Sequence, residues 1–192
     1  MDKRTLREKG RVRATKSGEL IHSDVCGPMP EPTHRGSRYF VTFIVDFGSF
    51  CVIKVLKYKS EVLEAFRNFY NRTELETGNK INTLRTDNGR EYANTEFAQF
   101  LSNNGIRHQT SAPRPPEQNG TAVRKNRTII DAALTMMLAT DLDGTFWAEA
   151  CHSTVYIQNR ITNRLVNYAT VFELWFSGQR LFCAHLEDPT VW

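Results

Sequence analysis

Asp24 and Asp87 are the residues of this chain whose setting points most directly to chemistry. Each ends a short run that alternates like a strand, and each is followed at once by residues that stop one. Leu20-Ile21-His22-Ser23 leads into Asp24 ahead of Cys26-Gly27-Pro28, and Leu84-Arg85-Thr86 leads into Asp87 ahead of Asn88-Gly89. A carboxylate carried on a strand end, where the chain turns sharply, has the geometry of a metal site. The competing assignment is a turn cap, and either aspartate taken alone fits that assignment better. Counting 36 positions on from Asp87 passes a proline-rich stretch and enters a helical run at Thr121-Ala122-Val123-Arg124-Lys125-Asn126-Arg127.

The elements that must hold these residues read as an α/β domain. Runs over 39–46 and 51–56 are β-rich and flank Phe47-Gly48-Ser49, which predicts a hairpin and an antiparallel start. Ser60 is the expected N-cap of a helix on which Val62, Phe66, Phe69 and Tyr70 repeat at helical spacing. The run 81–86 is the strand that delivers Asp87. Beyond it a helix over about 94–104 turns Phe97, Phe100 and Leu101 inward and stops at Gly105, and 107–110 is a short strand. Pro113, Pro115 and Pro116 force an exposed loop. A long helix from Gly120 to about Thr140 is expected to bury Ile130, Ala133, Leu134 and Met137. Another, over about 146–164, carries Phe146, Ala150, Ser153, Thr154 and Ile157 on one face. This order predicts a mixed sheet flanked by helices.

Composition narrows the classes. With 192 residues, 40% apolar and 24% charged, the chain suits one globular domain with a real core. No apolar run reaches membrane-span length and no signal peptide opens the sequence, so an intracellular location without membrane attachment is expected. Cys26, Cys51, Cys151 and Cys183 are scattered, which indicates neither a zinc ribbon nor a disulfide framework, and the His22 and Cys26 spacing does not converge on a metal. Residues 1–16 hold seven Lys or Arg against Asp2 and Glu8, a net of +5 beside +4 for the whole chain. Such an arm can follow phosphates through counterion release, or serve only as a solvated linker.

Seven segments, in order, carry a family resemblance over roughly residues 19–186. They are Ile21-His22-Ser23-Asp24-Val25-Cys26-Gly27-Pro28-Met29, Tyr39-Phe40-Val41-Thr42-Phe43-Ile44, Lys59-Ser60-Glu61-Val62, Leu84-Arg85-Thr86-Asp87-Asn88-Gly89, Gln118-Asn119-Gly120, Arg124-Lys125-Asn126-Arg127-Thr128 and Phe146-Trp147-Ala148-Glu149-Ala150. The chain resembles the integrase catalytic core of copia-type LTR retrotransposons, within the ribonuclease H-like superfamily. That resemblance implies a ribonuclease H-like fold with a five-stranded mixed sheet. It divides the chain into a basic arm over 1–16, a catalytic core over 17–164 and a truncated post-core segment over 165–192. The family's zinc-binding module would precede residue 1, so a fragment is implied, and beyond Leu186 the match fails.

The resemblance also implies removal of nucleotides from DNA ends and transfer of the 3′-hydroxyl into target DNA, with Mg2+ or Mn2+ as cofactor. Asp24 and Asp87 take the first two catalytic, metal-binding places. The third, a glutamate in the family, falls on Val123. Two divalent ions clamp an in-line displacement at phosphorus, and without the third carboxylate the second ion loses its anchor. The expectation is one surviving metal site and impaired catalysis.

Glu117, on the proline-rich loop, is the nearest substitute to consider. Asp131, eight residues along the helix and about 12 Å of rise away, is too distant. Glu91 is assigned to local hydrogen bonding. Asn126 and Arg127 lie three and four positions after Val123 and are read as sharing its helix face. Asn119, Arg124, Lys125 and Arg127 are the nucleic-acid-binding candidates, their alternative being a solvated helix surface, and the DNA contact they imply is made to the backbone. Implied partners are retroelement and target DNA and other integrase chains, in a nucleus or a retroelement particle. The alternatives are a catalytically inactive chain that still binds nucleic acid or multimerises, and an unselected remnant without function.

Overall fold

The computed structural model describes residues 14–110, 120–162 and 170–176. Its centre is a five-stranded sheet of β1 (Ile21–Cys26), β2 (Tyr39–Val45), β3 (Cys51–Leu56), β4 (Thr83–Thr86) and β5 (Arg107–Thr110), in spatial order β3-β2-β1-β4-β5. The β1–β2 and β2–β3 pairs are antiparallel, while β1–β4 and β4–β5 are parallel. Helices α1 (Val62–Thr77), α2 (Thr95–Asn103), α3 (Gly120–Ala139), α4 (Trp147–Arg160) and α5 (Val171–Phe176) cover both faces. The mixed, helix-flanked sheet expected from the sequence is therefore present.

Residue parity along the strands sorts the core into two layers, because successive side chains leave opposite faces of a sheet. Ile21, Val41, Phe43, Val45 and Leu84 point one way and join α1, α2 and α5 through Phe66, Phe69, Phe97 and Trp175. Phe43 stacks on Phe69 at 4.8 Å between ring centroids, and Phe66 stacks on Phe97 at 5.6 Å, the offset packing that aromatic quadrupoles favour. Phe40, Ile44, Cys51 and Ile53 point the other way and meet α3 and α4 through Ala122, Ile129, Ala133, Met137 and Trp147. Asp24 and Thr42 are direct partners in the β1–β2 register, so both lie on this second face, beneath α3.

Local chemistry explains the helix ends. Asn94 caps α2 by accepting from the Phe97 backbone N–H at 2.8 Å, and Gly105 beyond its end takes φ 65°. Ser60 does not cap α1. It lies inside a 3-10 turn over Lys59–Glu61, and the Glu61 carboxylate instead accepts from the Lys57 backbone N–H at 2.8 Å. A carboxylate reaching back satisfies orphan donors that a serine hydroxyl inside the turn cannot reach.

Two packing expectations also change. Leu134 is 50% exposed and Ile157 48% exposed, whereas Ile129 on α3 and Cys151 and Val155 on α4 are buried. The buried stripe of each helix is rotated from the one read in the sequence, because the α3–α4 contact takes part of each apolar surface and the sheet takes another. Phe146 belongs to a 3-10 turn (Gly144–Phe146), Ser153 is exposed, and α4 ends at Arg160 rather than 164.

Candidate functional site

Asp24 and Asp87 are brought together by strand register. The parallel β1–β4 pairing sets Ile21 beside Leu84 and His22 beside Arg85, and the same offset of 63 positions carries Asp24 to Asp87. Adjacent strands stand about 4.8 Å apart, and the charge of Asp87 is near enough to act on the Asp24 carboxyl. Burial, and next the charge of Asp87, push the Asp24 carboxyl up to about 6, while the hydrogen bond from Asn126 pulls it the other way. Two like charges held this close raise the cost of ionising both, and a divalent cation relieves that cost.

Each aspartate is held by its own local chemistry. The turn after β4 folds so that Asp87 Oδ1 accepts from the Gly89 backbone N–H at 3.0 Å. Tyr92 then fastens this turn to β1, its hydroxyl hydrogen-bonded to Ser23 Oγ at 2.7 Å, with both groups buried. On the opposite face, Asp24 Oδ2 accepts from Asn126 Nδ2 at 3.0 Å.

Glu91 is also close enough to raise the Asp24 carboxyl electrostatically. Its side chain is only 10% exposed and lies 3.7 Å from Lys59 Nζ, an ion pair with a distant segment rather than the local hydrogen bonding expected of it. A Cβ at position 89 would meet the Glu91 carboxyl carbon at 2.7 Å, so the glycine leaves room for this fold-back.

The position expected to take the third place presents no carboxylate. Val123, near the start of α3, is 54% exposed and presents no oxygen to the aspartates. Asn126 does not share its face as the spacing suggested: it is buried against the sheet, whereas Val123 and Arg127 are exposed. Arg127 extends toward Asp131, 3.7 Å away, and Arg124 lies against Gly120. Lys125 is half-buried. Glu117 and Asn119 fall outside the described residues, as do residues 1–13 of the basic arm.

His22 is fully buried and bonded through Nε2 to Asp46 Oδ1 at 2.9 Å. Among the described residues no group of three His, Cys, Asp or Glu is arranged to hold a metal ion. What the fold assembles is an oxygen-donor pair, the kind of set that suits magnesium, which takes one or two carboxylates and completes its shell with water and phosphate.

Sequence reasoning missed Asn126, Tyr92 with Ser23, and Lys59 with Glu91. Only Asn126 left a signal, as a polar residue on the stripe formed by Ala122, Ile129, Ala133 and Met137.

Comparison with known proteins gives this arrangement a context. Residues 14–116 match the integrase core domain family. The chain is 42% identical over 169 residues to the retrovirus-related Pol polyprotein from transposon TNT 1-94 of Nicotiana tabacum, a match covering 88% of this chain and 13% of that protein. It is 34% identical over 165 residues to the corresponding polyprotein from transposon RE1 of Arabidopsis thaliana, covering 86% of this chain and 11% of that protein. The chain thus spans about one-eighth of the length of these relatives.

Among solved structures, the fold is similar to a chain of the simian T-cell lymphotropic virus intasome in complex with the PP2A regulatory subunit B56 gamma. The TM-score is 0.68 at 18% identity, over 88% of this chain and 58% of that one. It is also similar to the HTLV-2 integrase catalytic core domain in complex with magnesium, with a TM-score of 0.61 at 17% identity, over 84% of this chain and 99% of that one.

Proposed function

Because the chain belongs to the integrase core domain family, we propose that it is the core of a retrotransposon integrase whose polynucleotidyl transfer is impaired at one ligand position. The observation that carries this reading is the register-matched pair Asp24 and Asp87, together with the exposed Val123 where the family's third carboxylate would stand. In this reading Asp24 and Asp87 hold one Mg2+ or Mn2+, and no side chain anchors a second. A bound ion supplies a nucleophile at neutral pH and charge neutralisation at phosphorus.

The chain's own residues do the positioning. The β1–β4 register brings the two strand ends together, and the Asp87–Gly89 and Ser23–Tyr92 bonds hold the turn that carries Asp87. Arg124, Lys125 and Arg127 give the start of α3 a basic surface that suits the DNA backbone rather than base edges. Asn119 is assigned to the same surface through its motif, and Glu117 is the loop carboxylate to test as a weak substitute at the third place.

Wider features follow the relatives. The core is taken as 17–164, with the basic arm before it and a post-core segment after it. Retroelement and target DNA are the substrates, and multimers of integrase chains the working form, in keeping with solved neighbours described as an intasome and as dimeric and trimeric cores. The place of action is a nucleus or a retroelement particle. Among the described residues no helix is long and apolar enough to cross a membrane.

The test is a strand-cleavage and strand-transfer assay on labelled DNA with Mg2+ or Mn2+. It compares the natural chain, Val123→Glu, and Val123→Glu with Asp87→Asn. A near-silent natural chain, restored by Val123→Glu and silenced again by Asp87→Asn, supports the reading. Natural-chain activity equal to that of Val123→Glu overturns the impairment, and Glu117→Gln then asks whether the loop supplies the third ligand.

A further inference from the structure

One lysine bridges the two turns that follow the aspartates. Lys59 opens the 3-10 turn between β3 and α1, and the Glu61 carboxylate fixes that turn by accepting from the Lys57 backbone N–H at 2.8 Å. Lys59 Nζ lies 5.8 Å from the centre of the Tyr39 ring, at the start of β2. That ring lies against Gly27 in the turn after Asp24, where a Cβ would meet Tyr39 Cδ1 at 2.8 Å. On its other side Lys59 Nζ stands 3.7 Å from Glu91 Oε1, in the turn after Asp87.

The two charges of this pair differ in exposure. The Glu91 side chain is 10% exposed and the Lys59 side chain 46%. At 3.7 Å the contact is electrostatic without being a hydrogen bond, so the three ammonium donors are left to meet another acceptor. Glu91 also adds a negative charge close enough to act on Asp24. An anionic strand entering between Asp24 and Asp87 passes that charge, and Lys59 offsets it from the solvent side.

We propose that Lys59 binds a backbone phosphate of the DNA strand that enters the Asp24–Asp87 site, with Glu91 and Tyr39 holding its ammonium at the rim. The inference rests on the reading of the chain as an integrase core that acts on DNA. Lys59 stands on a segment separate from α3, so its contact is independent of Arg124, Lys125 and Arg127. A compact ammonium meets a phosphate as a point charge and reads no base edge, so the contact is indifferent to sequence.

The experiment measures binding of a labelled DNA duplex to the full chain by fluorescence anisotropy over a salt series, for the natural protein, Lys59→Gln, Lys59→Arg and Glu91→Gln, with the melting temperature of each. Lys59→Gln is expected to weaken binding to duplexes of different sequence alike and to shrink the slope of log affinity against log salt by about one. Lys59→Arg keeps the charge and should keep the natural slope. A natural slope in Lys59→Gln overturns the phosphate contact and leaves the integrase reading standing. Equal losses in Lys59→Gln and Lys59→Arg, or matching drops in melting temperature for Lys59→Gln and Glu91→Gln without a change of slope, make the pair structural and also overturn it. If the natural chain binds no duplex even at low salt, the DNA reading itself fails and this contact falls with it.

Discussion

The two sides of the site are built unequally. On the strand side, Asp24 and Asp87 are set by sheet register, and their oxygens accept from Asn126 and from the Gly89 backbone. On the helix side, the position proposed for the third carboxylate carries Val123, exposed and without a polar atom in its side chain. The contrast teaches that the scaffold for chemistry and the chemistry itself are separable. The sheet, the turn and the Asn126 bond depend on packing and hydrogen bonds that a valine at 123 leaves undisturbed. Because Val123 is exposed, replacing it by glutamate costs little of the core.

The largest test of this inequality is to remove it. Val123→Glu should raise DNA strand cleavage by at least about 10²–10³-fold, the scale of restoring one preorganised stabilising group. An unchanged rate would mean that more than one part of the helix side is lost.

The strand side has its own signature in pH. The Asp24 carboxyl has a value of about 6 in the folded chain against 3.8 for the ordinary group. The folded state therefore holds the proton more tightly. The stabilisation from protonated Asp24 is complete below about 3.8 and is lost as pH rises through about 6. Its size is on the order of 1–3 kcal/mol. Metal-free protein should melt at a lower temperature at pH 7 than at pH 5, with the difference reduced in Asp24→Asn. Added Mg2+ should raise the melting temperature more at pH 7, where it takes the place of the proton. Equal Mg2+ shifts at both pH values would break the link between the buried pair and the ion.

A smaller effect is expected from Tyr92→Phe, which leaves Ser23 Oγ buried without the tyrosine hydroxyl and frees the turn carrying Asp87. The cost should be about 1–2 kcal/mol in chemical denaturation. Restored activity in the Val123→Glu background should fall when this bond is removed. Full retention would mean that the Asp87–Gly89 hydrogen bond alone holds the turn.

The smallest change belongs to the basic surface of α3. Arg127 is 84% exposed in its side chain, so Arg127→Ala should alter stability by no more than about 0.5 kcal/mol. If it meets a phosphate, the slope of log affinity for DNA against log salt should shrink by about one. An unchanged slope would return Arg127 to its ion pair with Asp131 and a solvated surface.

Much of this molecule follows from local sequence. The alternation around Asp24 and before Asp87, the Asn-Gly turn and the spacing that lands on Val123 are properties of short segments. They determine strand ends, a turn and the residue type at that spacing wherever the segments pack. Strand parity likewise predicts which of the two core layers a strand residue joins, since successive side chains leave opposite faces.

Tertiary structure alone decided how the helices are rotated and which distant groups meet. Successive helix residues differ by about 100°, so a small rotation of α3 exchanges a buried position for an exposed one. That is why Leu134 is exposed, and why Asn126 rather than position 123 reaches the sheet. The bonds from Thr42 to Asn126 to Asp24, and the pairing of Lys59 with Glu91, join segments far apart in the chain. Their partners are set by sheet register and helix docking together, and no single segment contains that information.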